Sequence, residues 1–189
     1  MFEGAEKFRK ELRETKDQEL TELAELLEMQ QLLDENIYKE KGIIEYPANE
    51  VSIALTVELG ELMNEFPTKF KYWKSKAVDN REKGLEEYVD CLHFALNIIN
   101  YITSLQSELD IESDPLYILM FKYSDNTECI TFGYGISYIL ENLTNGDNAD
   151  RVVPYLFELG NVLGFTWEEI YKAYKDKNKV NYERLQNGY

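Results

Sequence analysis

A chain of 189 residues with no internal repeat or Pro/Gly-rich linker is expected to form one domain, 1–189, large enough to bury a core without disulfides. A formal net charge of −16 makes duplex nucleic acid an unfavourable partner, and no apolar run approaches the length of a membrane span. Cys91 and Cys129 show no CxxC spacing, which suggests neither a disulfide framework nor structural zinc; with the charged N-terminus, this fits a soluble cytoplasmic protein.

In chain order, residues 4 to about 40 are predicted to be one helix, carried by Leu12, Leu20, Leu23, Leu27, Leu32, Leu33 and Ile37, with Gly42 as its stop. The first 25 residues are read as a helical extension that is exposed, frays or packs on a partner chain. Pro47 precedes a second helix, about 48 to 66, which Pro67 closes. A basic and aromatic loop follows, with Phe70, Lys71, Tyr72, Trp73, Lys74 and Lys76. A third helix is expected from about 84 to 107, before a break at Ser113-Asp114-Pro115. Residues 117 to 123 fit a short helix or a strand, 130 to 143 a helix despite Gly133 and Gly135, and Asn145-Gly146-Asp147 a turn. Helices at 149 to 163 and 167 to 185 finish the chain, with Gly164 between them and Thr166 as the N-cap of the last. The expected fold class is all-α, a compact bundle of about six to eight helices around a four-helix metal-binding core.

Two acid pairs dominate this pattern: Glu58 with Glu61, and Glu87 with Asp90. Residues three apart on a helix differ by about 60° in direction, so each pair presents two carboxylates from one face. Apolar neighbours suggest burial, with Ile53, Ala54, Val57 and Leu62 around the first pair, and Tyr88, Val89, Leu92, Phe94 and Leu96 around the second. Four converging carboxylates would repel unless a cation sat among them, and a hard, oxygen-seeking ion such as magnesium (Mg2+) is the natural one. The alternative is that the four are solvated acids on amphipathic helices.

The loop between these helices offers Lys71, Lys74 and Lys76 for phosphate charge and Trp73 as a surface on which a base can stack. His93, the sole histidine, lies one turn beyond Asp90, with Phe94 beside it and Asn97 a turn further; by position alone it is a satisfied core residue. Lys177, Asn181 and Arg184 share overlapping faces of the last helix, as a phosphate clamp or a solvated surface.

These motifs together resemble the dimeric, all-α dUTPase family, a branch of the all-α nucleoside triphosphate pyrophosphatases that includes MazG-like proteins and dimeric dCTPases. The resemblance rests on the ExxE and ExxD acids; on Gln30-Gln31-Leu32-Leu33-Asp34, similar to a QxxL[ND] segment; on the FKYW-type loop; and on the stretch from Glu86 to Phe94. It extends to a tail of the form KNxxNxxRxxxGY, from Lys177 to Tyr189. It implies a pyrimidine pocket of Gln30, Asp34, Trp73, His93 and Phe94, with Asp34 offering a carboxylate where an amide also occurs. It further implies a homodimer and a magnesium-dependent hydrolysis of dUTP, with dUDP as an alternative substrate, to dUMP and pyrophosphate. On that reading Glu58, Glu61, Glu87 and Asp90 bind metal, and Glu58 and Glu61 are catalytic, with Glu61 the favoured base. Lys71, Lys74, Lys177 and Arg184 would face phosphate, and Asn97 and Asn181 would complete the substrate site. The alternatives are a dCTPase or broader nucleotide pyrophosphatase on the same metal site, and a non-catalytic helical adaptor whose acids are only solvated.

Overall fold

The structure, a computed structural model, describes residues 5–109, 131–144 and 151–188, apart from the side chains at 107, 108 and 144. The long first helix expected from the sequence is two helices, α1 (Ala5–Glu14) and α2 (Gln18–Lys41). Periodicity alone ran across the break because apolar spacing persists on both sides of it. Lys16 takes a left-handed backbone, φ 60°, and Asp17 leaves the helical region to accept a hydrogen bond from the Leu20 amide, starting α2 afresh. This turn folds α1 back onto α2 and α4, and Ala5, Phe8 and Leu12 are buried there. The N-terminal segment is therefore packed on its own chain from residue 5 onward. Gly42 ends α2 in the left-handed conformation, returning its amide to the Tyr38 carbonyl.

After α3 (Ala48–Glu65) a 3-10 turn at Pro67–Lys69 leads into the basic loop, and α4 (Arg81–Glu108) returns alongside α3. Three further helices are described: α5 (Phe132–Thr144), α6 (Val152–Val162) and α7 (Trp167–Gln186). The expected features at 113 to 123 and 145 to 147, and Cys129, lie outside the described residues. Seven α-helices and no strand occur among the described residues, an all-α bundle in agreement with the sequence.

One apolar core draws side chains from all seven helices, and α4 runs through it, touching α1, α2, α3, α6 and α7. Two glycines permit close approach. A Cβ at Gly84 would run into the Phe66 ring, and one at Gly160 would meet the Tyr88 hydroxyl at 2.7 Å. Tyr88 is fully buried and donates to the Leu156 carbonyl, joining α4 to α6. Thr166 caps α7 as expected, in a reciprocal capping box with Glu169. Arg81 then grips both Glu169 oxygens at 2.9 and 2.8 Å and holds that carboxyl down at about 2, so the starts of α4 and α7 are tied together. No described helix is long and apolar enough to cross a membrane.

Helix α3 departs from expectation in its apolar pattern. It buries Val51, Leu55, Leu59 and Leu62, whereas Ile53 and Val57 are 64% and 52% exposed. The apolar company read around the first acid pair thus splits between core and surface, since among the described residues α3 packs through one side. The company of the second pair is as expected: Tyr88, Val89, Leu92 and Leu96 are buried and Phe94 is half-buried.

Candidate active site

The side-by-side packing of α3 and α4 brings carboxylates from the two helices together. Glu58, Glu61 and Glu87 each offer an oxygen within 4.8 Å of the others. Glu87 is buried, Glu58 half-buried and Glu61 exposed, so the cluster sits at the rim of the core and opens to solvent at Glu61. Burial first, then the charges of Asp90, Glu61 and Glu87, push the Glu58 carboxyl up to about 7, with Lys177 opposing. Burial and Glu61 raise Glu87 as well, against the pull of Lys83.

Asp90 falls outside that trio. Its carboxylate accepts a hydrogen bond from Lys177 of α7 at 2.5 Å, yet it is near enough to raise both Glu58 and Glu87. On the other flank, Lys83 lies 3.0 Å from Glu65 and 3.6 Å from Glu87. Two lysines thus meet the acids, Lys83 at Glu87 and Lys177 at Asp90. The residues fit a divalent cation: three hard oxygen donors converge, and their mutual repulsion is what such an ion relieves.

Along the same face of α4 a pocket of about 280 Å³ opens, lined among others by Gln30, Asp34, His93, Phe94, Asn181 and Arg184. Its wall is wired by hydrogen bonds. The Gln30 carbonyl oxygen accepts from the Tyr174 hydroxyl at 2.6 Å and lies 2.7 Å from His93 Nδ1, while its amide donates to Asp34 Oδ1 at 2.8 Å. His93 stacks on Tyr174 with ring centres 4.1 Å apart, and burial, aided by Lys177, drives its imidazole down to about 3. It is a neutral ring. Asn97 donates to the Tyr38 hydroxyl and accepts from the Tyr46 hydroxyl, which fixes both ends of its amide.

A family model described as dUTPase matches residues 22–189. The chain belongs to the dUTPase family. A search of curated proteins returns no match. The family match covers α2 to α7 nearly whole and leaves α1 outside it.

Seen as a dUTPase-family site, the structure gathers Glu58, Glu61 and Glu87 in one cluster, with Asp90 and Lys177 at its edge. It sets Gln30, Asp34, His93, Phe94, Asn181 and Arg184 around one cavity, with Asn97 in its hydrogen-bond network. It does not bring the basic loop there. Trp73 is 66% exposed, packed edge-on against Phe70 and Tyr72, and is not among the pocket's lining residues. Lys71 donates to Asn64 on α3, and Lys74 is exposed. The physical reason is the loop's base, pinned by Thr68 to Asp79 and by the Asn80 amide to the Glu65 carbonyl, which leaves the tip outside.

Sequence reasoning missed the tyrosines that hold the pocket, Tyr38, Tyr46 and Tyr174, and the pairing of Lys83 with Glu65 and Glu87. For Tyr174 a signal existed: with Asn178 and Asn181 it forms an i, i+4, i+7 stripe of polar residues on α7, two of them buried.

Proposed function

We propose that this dUTPase-family protein is a magnesium-dependent diphosphatase that converts dUTP, with dUDP as a further substrate, to the monophosphate. The observation that carries the reading is the convergence of Glu58, Glu61 and Glu87 at α4, the helix that also walls a hydrogen-bonded pocket of about 280 Å³. Glu58, Glu61 and Glu87 would hold the metal, with Asp90 joining them if Lys177 turns to phosphate. When bound, the cation supplies positive charge to the phosphate oxygens and makes nearby water more acidic.

The chain's own residues do the rest. Glu61, the solvent-facing member of the trio, accepts the proton of the attacking water as its oxygen bonds to phosphorus and the bond to the leaving phosphate oxygen breaks. Lys177, paired with Asp90 at the edge of the acid cluster, and Arg184, which lines the pocket, would meet the phosphate chain from α7, while Lys71 and Lys74 reach it only if their loop moves inward. Phe94 supplies an apolar wall for the base, and the neutral His93 adds no charge there.

The reading extends to a homodimer. Ile53 and Val57 form an outward apolar strip on α3, beside the acid cluster, of the kind a second copy covers. The acidic surface, at −16, opposes duplex nucleic acid, and a single domain acting in the cytoplasm completes the account. Hydrolysis of dUTP, dCTP, dTTP and UTP, each with Mg2+ and with chelator, tests it. The expected outcome is metal-dependent release of dUMP and pyrophosphate with dUTP preferred; equal rates on all four would remove the uracil assignment, and full activity in chelator would remove the metal.

A further inference from the structure

Gln30 is the pocket residue whose amide looks most suited to reading a base edge, yet its oxygen already receives Tyr174 and faces His93 Nδ1, and its nitrogen already serves Asp34. It positions its neighbours. Two of the pocket's lining side chains, each 5% exposed, carry a buried polar atom without a hydrogen-bond partner: Asp34 Oδ2 and His93 Nε2. Because the Gln30 oxygen can only accept, the hydrogen of the neutral His93 ring sits on Nδ1, and Nε2 is a bare acceptor.

Now consider the edge of uracil: two carbonyl oxygens flank one N3–H. With His93 Nε2 receiving N3–H, the neighbouring contact falls on a carbonyl oxygen, and that oxygen needs a donor. An ionised Asp34 offers none and would set lone pairs against lone pairs. A protonated Asp34 supplies the donor, and the structure says which oxygen carries the hydrogen: Oδ1 accepts from Gln30, so Oδ2 bears it. We propose that Asp34 binds the pyrimidine as a neutral carboxylic acid, donating from Oδ2 to a ring carbonyl beside the N3–H that His93 accepts. The inference rests on the proposed uracil-nucleotide reading of this same pocket.

The surroundings support a neutral acid. Burial raises the Asp34 carboxyl to about 7, with Asn97 and Gln30 opposing and the Glu35 charge adding to the rise. The other titratable side chains facing it are the tyrosines Tyr38 on α2, Tyr46 before α3, and Tyr174 and Tyr182 on α7, all pushed upward and therefore uncharged at neutral pH. His93 on α4 is neutral, and the cations at the pocket are Lys41 and Arg184, both lining it.

Asparagine at position 34 is isosteric with the proposed state, its carbonyl facing Gln30 and its amide nitrogen replacing the protonated oxygen. The test is titration of 2′-deoxyuridine, which has no ionising phosphate and needs no metal, into the full-length wild type and Asp34→Asn between pH 5.5 and 8.5. The wild type should lose about tenfold in affinity per pH unit above 7, while Asp34→Asn binds and stays flat. A wild-type affinity that is flat or rises with pH, or a parallel fall in Asp34→Asn, would overturn the inference and leave the uracil pocket standing. Failure of the wild type to bind deoxyuridine at any pH would overturn the inference together with the reading it rests on.

Discussion

The two halves of the site on α4 solve opposite problems. Toward its N-terminal end, Glu58, Glu61 and Glu87 crowd like charges together and leave them in conflict, with Lys83 and Lys177 only at the margins. A turn or two further, Gln30, His93, Tyr174, Asn97, Tyr38 and Tyr46 satisfy one another almost completely. The first half is incomplete until an ion arrives; the second is rigid beforehand and asks its ligand only for shape and a matching edge. The contrast separates residues whose removal stops chemistry and relieves the fold from residues whose removal loosens the fold.

The largest effect is expected where the conflict lies. Glu61→Gln or Glu87→Gln should cut dUTP turnover about a thousandfold or more in steady-state assays, as loss of catalytic groups does, with the protein still folded. Retained turnover would place the chemistry elsewhere. Next comes the satisfied half. Gln30→Leu strands His93 Nδ1, the Tyr174 hydroxyl and Asp34 Oδ1 in the interior, each at a cost of about 1–3 kcal/mol, so denaturant melts should show a clear loss of stability. An unchanged midpoint would mean the network is not holding the pocket.

A third measurement sets the halves against each other. The folded Glu58 carboxyl stands at about 7 against an ordinary 4.5; the stability its neutral form provides is present below 4.5 and lost as pH rises through 7. In metal-free melts, Glu58→Gln should therefore gain on the wild type across pH 4.5 to 7 while losing activity. A constant gap over that range would contradict the repulsion. The smallest effect belongs to the loop: Trp73→Ala should leave stability within about 0.5 kcal/mol and deoxyuridine affinity unaltered, because the ring stands outside the pocket. Weakened binding there would show that the loop closes over the base.

What the sequence made legible follows the same division. Helix periods and the Glu58, Glu61, Glu87 spacing were readable because an i, i+3 pattern is local, and α3 and α4 had to pack together to bury Leu55, Leu59, Leu62, Leu92 and Leu96. The break at Lys16 was not readable, since neither Gly nor Pro marks it and an ordinary lysine takes the left-handed turn. Nor was the exposure of Ile53 and Val57, because periodicity reports that a face is apolar and not what covers it. The hydrogen bonds of Gln30 were out of reach for a related reason. A Gln amide looks free in a sequence, and only the arrival of Tyr174 from a helix 144 residues away reveals that its oxygen is spoken for. Asp90 was placed beside the other acids by spacing, and the hydrogen bond it accepts from Lys177, 87 residues away in the chain, was not readable.

The most direct test of the account is calorimetric titration of Mg2+ into the nucleotide-free wild type and Glu58→Gln/Glu61→Gln. Saturable binding by the wild type, accompanied by a rise in its melting temperature, and loss of both in the double variant are the predicted results. Equal binding by the two proteins, or none by the wild type, would contradict the claim that these carboxylates form a divalent-cation site.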